Sequence, residues 1–126
     1  MASLDDTGNP SGHLIAARRV QGAAVFNTAL ERLGSIEDVI IDKASGRIAY
    51  AVLHFGGFLG FGDHKYPLPW EKLTDNPEID GYVVDLDRDR LEGAPAYDSN
   101  ASWEDRKWGE EVYAYYGAKP FWDLIP

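Results

Sequence analysis

The sequence predicts a mainly β protein: a small barrel of short strands followed by one C-terminal α-helix. Three observations carry this. Apolar residues recur in short runs, some alternating and some continuous, of strand length. Turn chemistry separates the runs, as in DKASG at 42–46 and DNP at 75–77. Helical periodicity with capping residues appears only near the C-terminal end, after Ser102.

Residues 1–12 are small, polar and punctuated by Gly and Pro, and they read as a loose tail. Leu14 to Ala17 reads as a short strand. Val20 to Phe26, interrupted by Gly22, reads as two extended pieces around a bend. Asn27 to Arg32 connects to a strand at Ser35 to Asp42, with Val39 and Ile41 expected inside. Ile36 and Ile40 fall on the other parity, so a bulge or a second covered face is expected. Lys43 to Gly46 forms a hairpin turn, with Gly46 free to take a positive φ. Arg47 to Phe55 (RIAYAVLHF) is the strongest strand. Its two faces, Ile48, Tyr50, Val52, His54 and Ala49, Ala51, Leu53, Phe55, are both largely apolar, so both are covered.

Tyr66 to Leu68 makes a short strand closed by Pro69, and Trp70 to Leu73 a single helical turn. Asp75 to Pro77 is turn chemistry. Gly81 to Asp87 alternates, with Tyr82, Val84 and Leu86 inward. Arg88 to Leu91 is another brief turn. A helix is expected over Ser102 to Tyr116, with Ser102 as N-cap and an acid three residues later. Gly117 stops it and Pro120 prevents its continuation. The aromatic tail from Lys119 to Pro126 docks or frays.

A chain of 126 residues suits one domain and can bury a core without disulfides or metals. With 12 basic and 21 acidic residues the net charge is −9, which argues against direct nucleic-acid contact and against an anionic membrane surface. There is no cysteine, so disulfides, thiol catalysis and Cys-ligated metals are excluded. The first residues lack a signal-peptide pattern, and the longest apolar run, Ile48 to Leu53, is too short to span a bilayer. A cytoplasmic setting is the expectation.

The stretch FGGFLGFGDHKYPLPW, Phe55 to Trp70, raises three chemical readings. Gly56, Gly57, Gly60 and Gly62 match no phosphate-loop spacing, and a Tyr-Pro-Leu-Pro segment follows instead of a helix N-terminus. They read as structural glycines that let a strand bend under large aromatics. His54, Asp63 and His64 lack metal-ligand spacing and read as partly exposed polar groups. Asp85, Asp87 and Asp89 alternate but miss the calcium-loop pattern. Glu71 and Glu92 could be proposed as acid and base, but nothing in the sequence brings them together. No serine sits in a nucleophile motif. The expectation is therefore a protein that is not an enzyme, with no catalytic residues, metal or cofactor.

Aromatic residues are the informative set. A small barrel holds few of them inside, so the rest pack the helix onto the barrel or face a partner. Phe55, Phe58, Phe61, Trp103, Trp108, Tyr113 and Tyr116 are the candidate interaction surface.

The run LGSIEDVIIDKASGRIAYAVLHFGGFLGFGDHKYPLPWEKLT, with GYVVDLDRDRLEGAPAYD after it, resembles the PRC-barrel domain. The resemblance covers Leu14 to Asp98. Gly34, the SGR turn at Ser45 to Arg47, the FGGFLG loop, the Pro-Leu-Pro-Trp segment and Leu91 to Pro95 carry it. It implies an SH3-like barrel of about six strands, similar to the cytoplasmic domain of the photosynthetic reaction-centre H subunit and to the C-terminal domain of a ribosome-maturation factor. Leu30 stands where the family usually has glycine in an N-x-x-G-E turn. The domain organisation that follows is a tail at 1–12, the barrel at 13–98, and a helix with aromatic tail at 99–126.

The resemblance implies a stand-alone bacterial module that contacts proteins and has no common catalytic site. The expected function is protein–protein interaction, as a homodimer or with a further protein partner. Two alternatives stand beside it. One is a small-molecule or metal-binding enzyme with a pocket near His54, Asp63 and His64. The other is a ribosome or RNA-processing accessory acting through a protein partner.

Overall fold

A computed structural model describes residues 14–56, 63–97 and 102–123, with the backbone alone at 63 and 64. Six strands form one sheet in the order β4-β3-β2-β1-β6-β5. They are β1 (Ala24–Phe26), β2 (Arg32–Ile41), β3 (Ile48–Gly56), β4 (Asp63–Pro69), β5 (Thr74–Asn76) and β6 (Gly81–Val83). Among the described residues three α-helices accompany them, α1 (Ala17–Val20), α2 (Arg88–Glu92) and α3 (Arg106–Tyr116), with 3-10 turns at Trp70–Lys72 and Phe121–Asp123. Neighbouring strands run antiparallel except β1 and β6, which are parallel. The mainly β architecture with about six strands is therefore present.

Most elements lie where the sequence places them, with a few corrections. Leu14 to Ala17 is not a strand: the chain turns helically through α1 before Gly22, at φ 90, redirects it into β1. In β2 the buried residues are Leu33 and Ile36, while Ile41 is 50% exposed. Register shifts between Ile36 and Asp38 and between Ile40 and Ile41 reset the face that each side chain meets. The expected bulge is thus the reason that Ile41 leaves the interior. Thr74 to Asn76 is the edge strand β5, not only a turn, because β6 supplies its ladder partners. The C-terminal helix begins at Arg106. Asp105, not Ser102, caps it, accepting from the N–H groups of Lys107 and Trp108.

Turn geometry follows residue chemistry. Gly46 takes φ 77 in the β2–β3 hairpin, where Asp42 accepts from the Ser45 N–H and hydroxyl. Those bonds hold the Asp42 carboxyl below its usual range, the Ser45 hydroxyl contributing most. Leu30 adopts φ 62, the left-handed conformation for which glycine is suited. The turn stays closed because the Asn27 side chain accepts from Glu31 N–H at 2.9 Å and its amide donates to the Glu31 carboxylate.

β3 organises the molecule. It is paired on both edges, with β2 and β4. Ile36, Leu53 and Tyr66 lie opposite one another across the three strands and are all buried, together with Leu68, Val25, Tyr82 and Leu91. The opposite face of β3, carrying Tyr50 and Val52, is also buried. Alternation along the strand demands a second cover for it, and at Tyr50 α3 with the segment after it supplies that cover.

Candidate functional site: an aromatic face built on Tyr50

Tyr50 is 1% exposed and sits at the centre of an aromatic cluster. Its ring lies 5.3 Å from Trp103, 6.1 Å from Trp108, 5.1 Å from Tyr113 and 6.3 Å from Phe121, centroid to centroid. None of these pairs is a face-to-face sandwich, in keeping with the ring quadrupole. Tyr97 stacks on Trp103 at 4.6 Å, and Trp103 meets Trp108 edge-on at 5.3 Å. One polar bond pins the assembly: the buried Tyr113 hydroxyl donates to the Ala49 carbonyl at 2.6 Å.

Gly109 makes the close approach possible. A Cβ there would lie 2.8 Å from the Tyr50 hydroxyl and 3.0 Å from the Trp122 ring. At the far end of α3, Gly117 takes φ 68, and the Ala118 N–H bonds back to the Tyr113 carbonyl. This stop turns the chain so that Phe121 and Trp122 fold back onto Tyr113. Arg90 in α2 donates to the Tyr115 carbonyl at 2.6 Å and covers the Tyr115 ring, while the Tyr115 hydroxyl donates to the Arg90 carbonyl.

The buried tyrosines of the face stay uncharged near neutral pH. Burial pushes the Tyr50 hydroxyl up to about 12. It raises Tyr113 and Tyr116 as well. Buried phenols lose hydration of the phenolate and stay neutral.

Beside this face, between the start of β3, the helical turn after β4 and the segment after α3, lies a groove of about 510 Å³. Ile48, Trp70, Tyr113 and Phe121 line it, with Arg47, Glu71 and Lys119.

A model of the PRC-barrel domain matches residues 12–92, well over half of the chain. The chain belongs to the PRC-barrel family. Among curated proteins none matches. A solved structure of RimM from Pseudomonas aeruginosa, described as a 16S ribosomal RNA processing protein, is similar at 18% identity with a TM-score of 0.41. The match covers 64% of this chain and 49% of that one, so it spans about half of that protein's length.

The sequence-predicted residues of the barrel and of the segment after it separate into groups. Phe55, Tyr113 and Tyr116 are buried in the chain's own core. Trp103 and Trp108 are half-buried against Tyr50. Phe58 and Phe61, with Gly57, Gly60 and Gly62, lie outside the described residues, and Gly56 ends β3. Gly34 is required by packing, since a Cβ there would stand 2.2 Å from the His54 carbonyl oxygen. His54 is half-buried on β3, and the backbones of Asp63 and His64 pair with Gly56 and Phe55. Among the described residues no group of three His, Asp or Glu side chains could hold a metal. Asp87 caps α2 by accepting from the Arg90 N–H at 2.7 Å. No helix among the described residues is long and apolar enough to cross a membrane.

Sequence reasoning missed Tyr50 as the hub and Gly109 as its socket. Tyr50 was visible as the one tyrosine of a largely apolar strand. Gly109 carried a weaker signal, a glycine inside a helical stretch that otherwise disfavours it.

Proposed function

We propose that this PRC barrel is a non-catalytic protein–protein interaction module that self-associates as a homodimer through the aromatic face around Tyr50. The observation that carries the proposal is residual exposure. After α3 has docked, Trp103, Trp108, Phe121 and Trp122 each remain only partly buried. Tryptophan-rich, half-covered patches of this kind are where interfaces concentrate their affinity. The non-catalytic part rests on the sequence, whose serines sit in no nucleophile motif and whose histidines lack metal-ligand spacing. A cytoplasmic setting belongs to the same reading and agrees with the lack of cysteine.

Light scattering over a wide concentration range tests the proposal. A mass of two chains is expected. Lys107→Glu, an exposed change on the same helix, and Trp103→Gln should both shift the equilibrium towards monomer while far-ultraviolet circular dichroism stays unchanged. A strict monomer at high concentration, with no partner recovered by pull-down, refutes it.

A further inference from the structure

The groove beside the aromatic face has a charge pattern unlike that of the rest of the molecule. Acids outnumber bases 21 to 12 over the chain, yet two of the three charged residues lining the groove are Arg47 and Lys119. Neither cation has an ion-pair partner among the described residues, whereas Lys65 pairs with Glu37 at 3.1 Å. Glu71 is the single acid, so the groove carries an excess of one positive charge.

Both cations stand on fixed mounts. Arg47 leaves the hairpin turn, with its N–H on the Ser45 hydroxyl at 3.2 Å and its carbonyl accepting from Asp42. Lys119 follows the Gly117 stop, two residues beyond a left-handed φ that sets the chain direction. Between them Trp70, Tyr113 and Phe121 supply ring surface and Ile48 an aliphatic one. The Tyr113 hydroxyl is committed to the Ala49 carbonyl. What the lining offers is apolar contact with cations at its rim.

We infer that this groove is a binding site for a small aromatic monocarboxylate, its ring on Trp70 and Phe121 and its carboxylate on Arg47 and Lys119. The volume of about 510 Å³ falls within the range of small-molecule sites. Arginine grips a carboxylate with two parallel N–H bonds. An extended peptide fits less well, because the strand flooring the groove is β3, whose edges are both paired and offer no free main-chain ladder. The site lies at the opposite end of β3 from His54. The cations lie outside the aromatic cluster, but Tyr113 and Phe121 belong to both, so a dimer closed over Phe121 would compete with the carboxylate for the groove and the titration is made at a concentration where the chain is monomeric.

Calorimetric titration with naphthoate and with its neutral analogue naphthylmethanol tests it, with the Trp70 indole and Ile48 methyl signals followed by nuclear magnetic resonance. Naphthoate should bind about tenfold more tightly than the alcohol, as two partly exposed charge contacts allow. Combined Arg47→Gln and Lys119→Gln, both exposed positions, should reduce naphthoate binding to the level of the alcohol and leave the alcohol unchanged. Lys72→Gln, exposed on the neighbouring turn, should change neither. The inference is overturned if naphthoate does not bind, if both compounds bind equally, or if the double variant keeps its preference.

Discussion

Replacing Gly109 with alanine sets two effects of opposite sign against each other. In an exposed helix interior the change stabilises by about 1 kcal/mol, because glycine costs backbone entropy. Gly109 is buried, however, and its new methyl carbon would meet the Tyr50 hydroxyl at 2.8 Å and two Trp122 ring carbons at 3.0 and 3.1 Å. Tyr50 cannot swing aside, since Trp103, Trp108, Tyr113 and Phe121 pack around it. Trp122 is half-buried and is the side that yields. Overpacking of this kind costs about 1 to 3 kcal/mol. The net expectation is a loss of about 1 kcal/mol, or about 4 °C in Tm for a domain of this size. Urea unfolding followed by tryptophan fluorescence measures it. In a Tyr50→Phe background, which removes the nearest contact atom, Gly109→Ala should cost less, and the difference is the coupling energy. A gain of about 1 kcal/mol in the wild-type background would mean that α3 is not seated on Tyr50.

Four other perturbations address separate parts of the fold. Leu30→Gly should stabilise by about 0.5 kcal/mol, because relief of a left-handed leucine outweighs the added freedom of the unfolded chain; a loss in urea unfolding would contradict this. Asp105→Ala should cost about 1 kcal/mol and Ser102→Ala less than about 0.5, by the same assay, since Asp105 is the cap; the reverse order would restore the earlier helix start. Gly34→Ala should cost more than about 3 kcal/mol, because the atom it meets is a main-chain carbonyl; near-normal solubility and Tm would count against this packing. Alkaline titration should be cooperative with unfolding. The folded hydroxyl of Tyr50 sits near 12, above its unfolded value near 10, so its contribution to stability is complete below 10 and is lost as pH rises towards 12. Tyrosinate absorbance and circular dichroism should change together there, and free titration of all tyrosines near 10 in a folded protein would refute it.

The sequence by itself determined the elements whose causes are local. A continuous apolar run of strand length placed β3, Gly46 its preceding turn, and Gly117 the end of α3, because a short run or a positive φ needs only neighbouring residues to specify it. Two-sided apolarity in β3 even required a second cover. The resemblance to the PRC-barrel family was carried by motifs: Gly34, the SGR turn, the FGGFLG loop, the Pro-Leu-Pro-Trp segment and Leu91 to Pro95. What the sequence could not settle was contact between distant segments. Trp103, Trp108 and Phe121 read equally well as a partner's anchors or as packing, since burial depends on where the tail folds, and periodicity does not record that. Ile41 was misplaced because a bulge exchanges faces without changing composition. The groove was invisible for the same reason: Arg47, Trp70 and Lys119 are far apart along the chain. Only the tertiary structure brings them together, through a hairpin turn, an edge-strand exit and a helix stop that meet on one face of β3.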